Sequence, residues 1–90
     1  MSAEAREIEP DLASVEAWSY HEVDGRPDPN VIVSWCGRFT VVHYVADGVF
    51  AAFRRYPREQ RRMAWPIGVA PAVDAAVDLC VRQAQIEAGE

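Results

Sequence analysis

Three β-rich runs, separated by two residue pairs that end in glycine, occupy the middle of the sequence and constrain the fold most. The runs are residues 31–35, 38–46 and 49–56, and the pairs between them are Cys36-Gly37 and Asp47-Gly48. Aromatic and β-branched side chains favour strands. An Asp-Gly pair between two such runs is a strong hairpin signal, because a two-residue turn needs positive φ at both positions. We therefore predict an antiparallel meander.

Two-residue turns would fix the register of this meander. Val33 would pair with Thr40, and Ala46 with Val49. One face then carries Val31, Val33, Trp35, Val42, Tyr44, Val49, Ala51 and Phe53, and the other carries Ile32, Ser34, Phe39, Val41, His43, Val45, Phe50, Ala52, Arg54 and Tyr56. Both faces are largely apolar, whereas a sheet with one side in water has one polar face. The sequence therefore predicts a cover on each side.

One cover is predicted from the C-terminal residues 71–88. Pro71 suits the first turn of a helix. Spacings of three and four residues place an apolar stripe on one side of it, made of Val73, Ala76, Val77, Cys80, Val81 and Ala84. We therefore predict an α+β domain over residues 15–90: an antiparallel three- to four-stranded β-meander with a C-terminal α-helix packed on one face. The other face would need a second copy, another protein or the N-terminal segment.

The remaining segments carry weaker signals. Residues 1–14 are predicted to be a flexible or partly helical acidic arm, and residues 15–23 to be a further strand. Residues 24–30, DGRPDPN, contain many turn formers and are predicted to be a loop. In residues 56–70 we expect a short helical turn, broken at Pro66.

Charge is distributed unevenly along the chain. The net charge is −5 over 90 residues, but residues 1–30, 31–65 and 66–90 carry −6, +4 and −3. The stretch FRRYPREQRRMAW at 53–65 contains most of the basic side chains. Its predicted partner-binding residues are Arg54, Arg55, Arg58, Arg61, Arg62 and Trp65.

Three interpretations of this arginine cluster stay open. The arginines could neutralise the acids of residues 1–30 or cap the edge of the sheet. They could bind an acidic protein, since Trp and Arg are common at interface hot spots. They could also bind nucleic acid, with phosphates on the arginines and bases on the aromatic rings. A nucleic-acid-binding domain is usually basic overall, and this chain has a pI near 4.9.

Signatures of catalysis are missing from the sequence. It contains no nucleophile elbow, phosphate-binding loop, dinucleotide fingerprint or zincin motif. We interpret His43 as a packing residue within a strand, and His21 has no ligand set at a known metal spacing. Cys36 and Cys80 are predicted to be unpaired thiols. We therefore expect no enzyme activity, no cofactor and no metal.

The leading interpretation is a small non-enzymatic interaction protein of a regulator or inhibitor type. It would bind a larger protein or complex through charge-segregated surfaces, and we expect it to form a homodimer. The alternatives are a nucleic-acid-binding module that uses residues 54–62 and a structural homodimeric subunit. We expect a cytoplasmic location and no membrane contact, since no apolar run is long enough to span a bilayer. Nine basic residues without one lysine indicate a GC-rich bacterial or phage genome.

Overall fold

Five strands and one helix form the described part of the chain in this computed structural model, which covers residues 11–55 and 64–89. In chain order the elements are β1 (Trp18–Val23), β2 (Arg26–Ser34), β3 (Phe39–Tyr44), β4 (Val49–Arg55), β5 (Ala64–Ala70) and α1 (Val73–Ala88). Short 3-10 turns occupy Val15–Ala17 and Val45–Asp47.

The strands form one antiparallel sheet in the order β1-β2-β3-β4-β5. This confirms the predicted α+β fold with a meander and a C-terminal helix, but the sheet has five strands where three or four were predicted. The additional strand is β5, where the sequence predicted an irregular break. Pro66 is tolerated there because β5 is an edge strand and pairs only with β4.

The prediction of a loop over residues 24–30 is wrong. Only Asp24 and Gly25 form a turn, and β2 begins at Arg26. Both have positive φ, 54° and 78°, as a two-residue hairpin requires. The prolines at 27 and 29 lie in β2, ahead of Val31, where the pairing with β3 begins. This part of β2 pairs only with β1, so it has one side without ladder hydrogen bonds. Prolines, which have no backbone N–H, are tolerated at such positions.

The predicted register is confirmed for the first hairpin and is wrong for the second. Val33 pairs with Thr40 as expected. Val49 pairs with Tyr44 and not with Ala46. The connection is a four-residue loop that contains the 3-10 turn and ends at Gly48, with φ 67°. A slip of two residues keeps the side chains of β3 and β4 on their predicted faces.

The core lies between the helix and one face of the sheet, which we call the core face. Its buried residues are Phe39, Val41, Ala52, Ala70, Ala76 and Cys80. The helix was predicted over 71–88 and spans Val73–Ala88. Ala76 and Cys80 of the predicted stripe are fully buried. Gly68 on β5 leaves the space that Leu79 of the helix fills.

The residues before β1 also pack on the core. Leu12 contacts the core cluster, and its carbonyl oxygen accepts a hydrogen bond from Trp18 Nε1 at 2.8 Å. Residues 1–10 of the predicted arm lie outside the described residues.

Trp35 does not occupy the position predicted for it in the sheet. It lies in the turn between β2 and β3, and its side chain is 47% exposed. Four residues, 35 to 38, connect β2 to β3. Within this connection the Gly37 N–H donates a hydrogen bond to the Ser34 carbonyl at 2.9 Å. Of the helices that the structure describes, none is long and apolar enough to cross a membrane.

Candidate functional site

Three arginines meet at one end of the sheet, where β3 begins and β4 ends. Arg38 lies just before β3, and Arg54 and Arg55 close β4. The Arg55 N–H donates to the Arg38 carbonyl at 2.6 Å, which joins the two chain segments. We call this surface the arginine end; its described members are Trp35, Arg38, Arg54, Arg55 and Trp65.

Arg54 is bound within the fold. Its Nε and Nη2 atoms donate to the two carboxylate oxygens of Glu87 at 2.8 and 2.9 Å, so the pair is bidentate. Its side chain is 14% exposed and that of Glu87 is 28% exposed. A paired fork of this kind fixes the geometry of both groups. Arg54 therefore ties the last turn of the helix to β4.

Two guanidinium groups lie close to the ring of Phe39. The Arg54 and Arg38 guanidinium carbons are 5.5 and 5.9 Å from its centroid. Cation–π attraction acts at such distances. Phe39 is fully buried, so it supports both arginines from the core.

Glu87 is the acid that compensates part of this charge. The hydrogen bond from Arg54 lowers the pKa of Glu87 below its ordinary value. Burial raises this pKa, but the hydrogen bond from Gln83 and the charge of Arg38 lower it further. One acid therefore faces two arginines.

Arg55 points away from the helix. Its half-buried side chain lines a shallow depression of about 220 Å³ on the opposite side of the sheet, beside His21 and Thr40. Among the described residues the Arg55 guanidinium has no ion-pair partner. Arg38 is exposed. Two of the three charges are therefore accessible.

Two tryptophans flank these arginines. Trp65 on β5 pairs with Arg54 in the ladder and is 52% exposed. Trp35 lies at the other side of the arginine end, in the turn between β2 and β3 that also contains Arg38. With neighbouring strands about 4.8 Å apart, β3 and β5 are separated by about 10 Å. The arginine end therefore presents two half-exposed indoles with cationic groups between them.

The structure brings together half of the predicted site. Arg54, Arg55 and Trp65 are neighbours across β4 and β5, while Arg58, Arg61 and Arg62 lie outside the described residues. The described residues on either side of that segment, Arg55 at the end of β4 and Ala64 at the start of β5, are partners in the ladder.

Sequence reasoning missed Arg38 and Trp35. The signal for Arg38 was available, because the predicted hairpins placed the start of β3 beside the end of β4. Trp35 was missed because the predicted two-residue turn placed it on an apolar face of the sheet, whereas it lies in a four-residue turn.

Cys36 lies in the same turn. Its Sγ is 3.3 Å from Ser34 Oγ, and the side chain is half-buried. Burial raises the pKa of this thiol, but hydrogen bonds to Ser34 and Arg38 and the charge of Arg38 outweigh it, so the pKa is below its usual value. Burial raises the pKa of Cys80 to about 12.

The opposite end of the sheet is acidic. It contains the β1–β2 turn, the β3–β4 loop and the start of the helix, with Glu22, Asp24, Asp28, Asp47 and Asp74 and one arginine, Arg26. Acidic side chains are therefore concentrated at this end because antiparallel pairing places these segments together, while the arginine end includes two acids, Glu87 and Glu16 of the turn before β1. The linear blocks of the sequence predicted this distribution only in part, since Asp47 lies in the basic block.

The concave sites on the helix side are small. His43 stacks on Phe50, with centroids 4.1 Å apart and ring planes 8° apart, and both line a depression of about 190 Å³. Sites for small molecules usually measure at least about 300 Å³. His43 therefore packs as predicted, although it faces Phe50 and is not close to Arg54. No three His, Cys, Asp or Glu side chains in the described residues are grouped to hold a metal ion.

Comparison with protein-family models, with curated proteins and with solved structures finds no match. The class of the chain therefore follows from its own geometry. It is an α+β protein, built as a five-stranded antiparallel meander with one helix on its core face.

Proposed function

We propose that the protein is a non-enzymatic interaction protein that binds an acidic surface of a larger protein through its arginine end. The observation that carries this proposal is the combination of two half-exposed tryptophans with the accessible charges of Arg38 and Arg55. Trp and Arg are the residues that most often dominate binding energy at interfaces. Arg38 lies against the fully buried ring of Phe39, and a side chain that is already held in place loses less order on binding.

Charge separation supports the choice of an acidic partner. An approaching acidic surface is attracted to the arginine end and repelled by the opposite end, which orients the encounter. The role that fits is a regulator or inhibitor that occupies a site on a larger assembly.

The test is a comparison of charge-matched variants in capture from a nuclease-treated bacterial lysate. The first variant carries Arg38→Ala and Arg55→Ala, so that it and the control each lose two positive charges. Arg54 is left in place because it holds Glu87. The control removes Arg26 and Arg82, which lie elsewhere on the surface. Circular dichroism checks that each variant folds.

The proposal expects proteins that the wild type and the control retain and that the first variant loses. A purified candidate should then bind the first variant at least about tenfold more weakly, as expected for the loss of interface charges. Identical capture by all three proteins would refute the proposal.

A second candidate function is binding to single-stranded nucleic acid. The observation that favours it is the exposure of Trp35 and Trp65, because bases stack on indole rings while arginines bind the phosphates. Fluorescence anisotropy with mixed-sequence oligonucleotides, at about 50 and about 200 mM salt, distinguishes the two. Micromolar binding that collapses at the higher salt would place nucleic acid ahead of an acidic protein. No binding at the lower salt would eliminate it.

A further inference from the structure

The side of the sheet away from the helix, which we call the open face, is largely apolar on strands β2 to β5. The alternation of side chains along each strand places on it residues that the core does not use. They are Ser19 and His21 on β1, and Val31, Val33, Thr40, Val42, Tyr44, Val49, Ala51, Phe53, Arg55 and Val69 on the other strands. The described elements that pack on the sheet, the helix and residues 11–17, contact the core face. No described element covers the open face.

The size of the open face matches what a specific interface requires. Five strands of about seven residues, at about 4.8 Å between strands and about 3.3 Å per residue, make a surface of about 550 Å². Two such faces packed together would bury about 1,100 Å², above the roughly 1,000 Å² expected of a biological interface. Stacked sheets about 10 Å apart are a standard way to cover an apolar face.

The charges select a second copy as the occupant and also fix its orientation. A two-fold axis between the faces can run along the strands or across them. An axis along the strands places the two arginine ends together, where like charges repel. An axis across the strands places the arginine end of each copy over the acidic end of the other.

The second arrangement also aligns particular residues. Each β4 then lies over the other β4 and runs in the opposite direction. Arg55, the last residue of β4, comes to lie over the start of the other β4, next to Asp47 of the loop before it. The angle of about 30° between packed sheets preserves this proximity. We propose that the protein forms a homodimer through its open face, with the strands of the two sheets antiparallel and Arg55 of each protomer beside Asp47 of the other.

The proposal is tested by sedimentation velocity on the full chain without any partner, from about 1 to about 100 µM, a range that brackets a micromolar dimer. Val42→Glu introduces a charge at the centre of the open face. It should raise the dimer dissociation constant by a factor on the order of one hundred, since it buries an unpaired charge. Ile86→Glu is the matched control, because Ile86 is 60% exposed on the helix and should leave the dimer unchanged.

A charge swap tests the orientation without altering the apolar surface. Arg55→Asp and Asp47→Arg should each weaken the dimer by a factor on the order of ten, and the two together should restore it, because the pair is re-formed with reversed sign. A wild type that remains monomeric at the highest concentration would overturn the proposal, as would a dimer that tolerates Val42→Glu. Failure of the double variant to restore the dimer would overturn the antiparallel arrangement. Arg55 belongs to both surfaces, but the dimer is measured on the protein alone, and Val42 and Asp47 lie outside the arginine end. A failed dimer test therefore leaves the proposed function standing, and the reverse also holds.

Discussion

The two cysteines differ in every property that controls thiol chemistry. Cys36 is half-buried in a turn beside Arg38, whereas Cys80 is fully buried under the sheet. The thiolate is the reactive form of cysteine. The lowered pKa and partial exposure of Cys36 therefore both favour reaction, whereas the raised pKa and full burial of Cys80 both oppose it.

We predict that one thiol of the native protein reacts readily with a disulfide reagent at neutral pH, and that Cys36→Ser removes this reaction. The rate should rise with pH and level off at a lower pH than for a free cysteine. Arg38→Ala should move that pH upward, because it removes a hydrogen bond and a positive charge from the thiolate. Stopped-flow measurement of reagent release checks both statements. Equal rates for the two thiols would contradict the assigned environments.

At Gly68, β5 and the helix approach each other closely. A Cβ built at this position would lie 3.0 Å from Leu79 Cδ1. We predict that Gly68→Ala destabilises the protein by about 1 kcal/mol, because overpacking outweighs the entropy gained by replacing glycine. Urea unfolding provides the measurement.

The sign of this effect should reverse in a second background. When Leu79→Ala has removed the contact, Gly68→Ala should stabilise by a few tenths of a kcal/mol, because only the entropy term remains. Destabilisation in both backgrounds would show that crowding by Leu79 is not the cause.

At the scale of elements, the pair of Arg54 and Glu87 joins the helix to the sheet. We predict a coupling free energy of about 1–2 kcal/mol from a double-mutant cycle with Arg54→Ala and Glu87→Ala, since the pair is bidentate and partly buried. Thermal or urea unfolding of the four proteins gives the value. The control is the exposed pair of Arg82 and Asp78, which are 3.2 Å apart one helical turn from each other. Its coupling should not exceed about 0.5 kcal/mol.

The same pair gives the protein a defined dependence on pH. The pKa of Glu87 is lower in the folded chain than its ordinary value of 4.5. The stabilisation that ionised Glu87 gives the folded protein is therefore complete above pH 4.5. It is lost as the pH falls through the pKa of Glu87 in the folded chain. We predict that Glu87→Gln flattens the stability profile below about pH 5, where the unfolded carboxyl begins to take up a proton. A profile parallel to that of the wild type would assign the acid sensitivity to other carboxyl groups.

Local sequence signals predicted some elements and could not predict others. The register of β2 and β3 followed from alternation and from Gly37. β5 was missed because Pro66 and Gly68 are strand breakers in general, and their tolerance depends on an edge position and on a helix that packs later in the chain. The second register was missed because Asp-Gly also closes longer loops. The acid that meets Arg54 comes from the far end of the helix, and a distant contact of this kind has no sequence signature.

At the scale of the whole molecule, burial is greatest on the strands at and next to the centre of the sheet, β3 and β4. β3 is paired on both sides and carries the buried Phe39 and Val41, whereas β1 is an almost entirely exposed edge. We predict that amide hydrogen exchange is slowest in peptides from β3 and β4 and fastest in β1, because edges open locally at lower free energy. Mass-spectrometric exchange on the intact chain tests this order. Protection of β1 equal to that of β3 would show that something pairs with or covers the edge.

The order of the strands also decides what the chain exposes while it is being synthesised. Each strand pairs with the next one along the sequence, so the sheet can assemble as it leaves the ribosome, whereas the helix that covers it follows all five strands. Translation of the 33 residues from 56 to 88 takes about two to seven seconds at typical rates. During that interval the core residues of the sheet, among them Phe39 and Val41, are not yet covered by Ala76 and Cys80 of the helix. Both faces of the nascent sheet are then apolar surfaces that a ribosome-associated chaperone can bind.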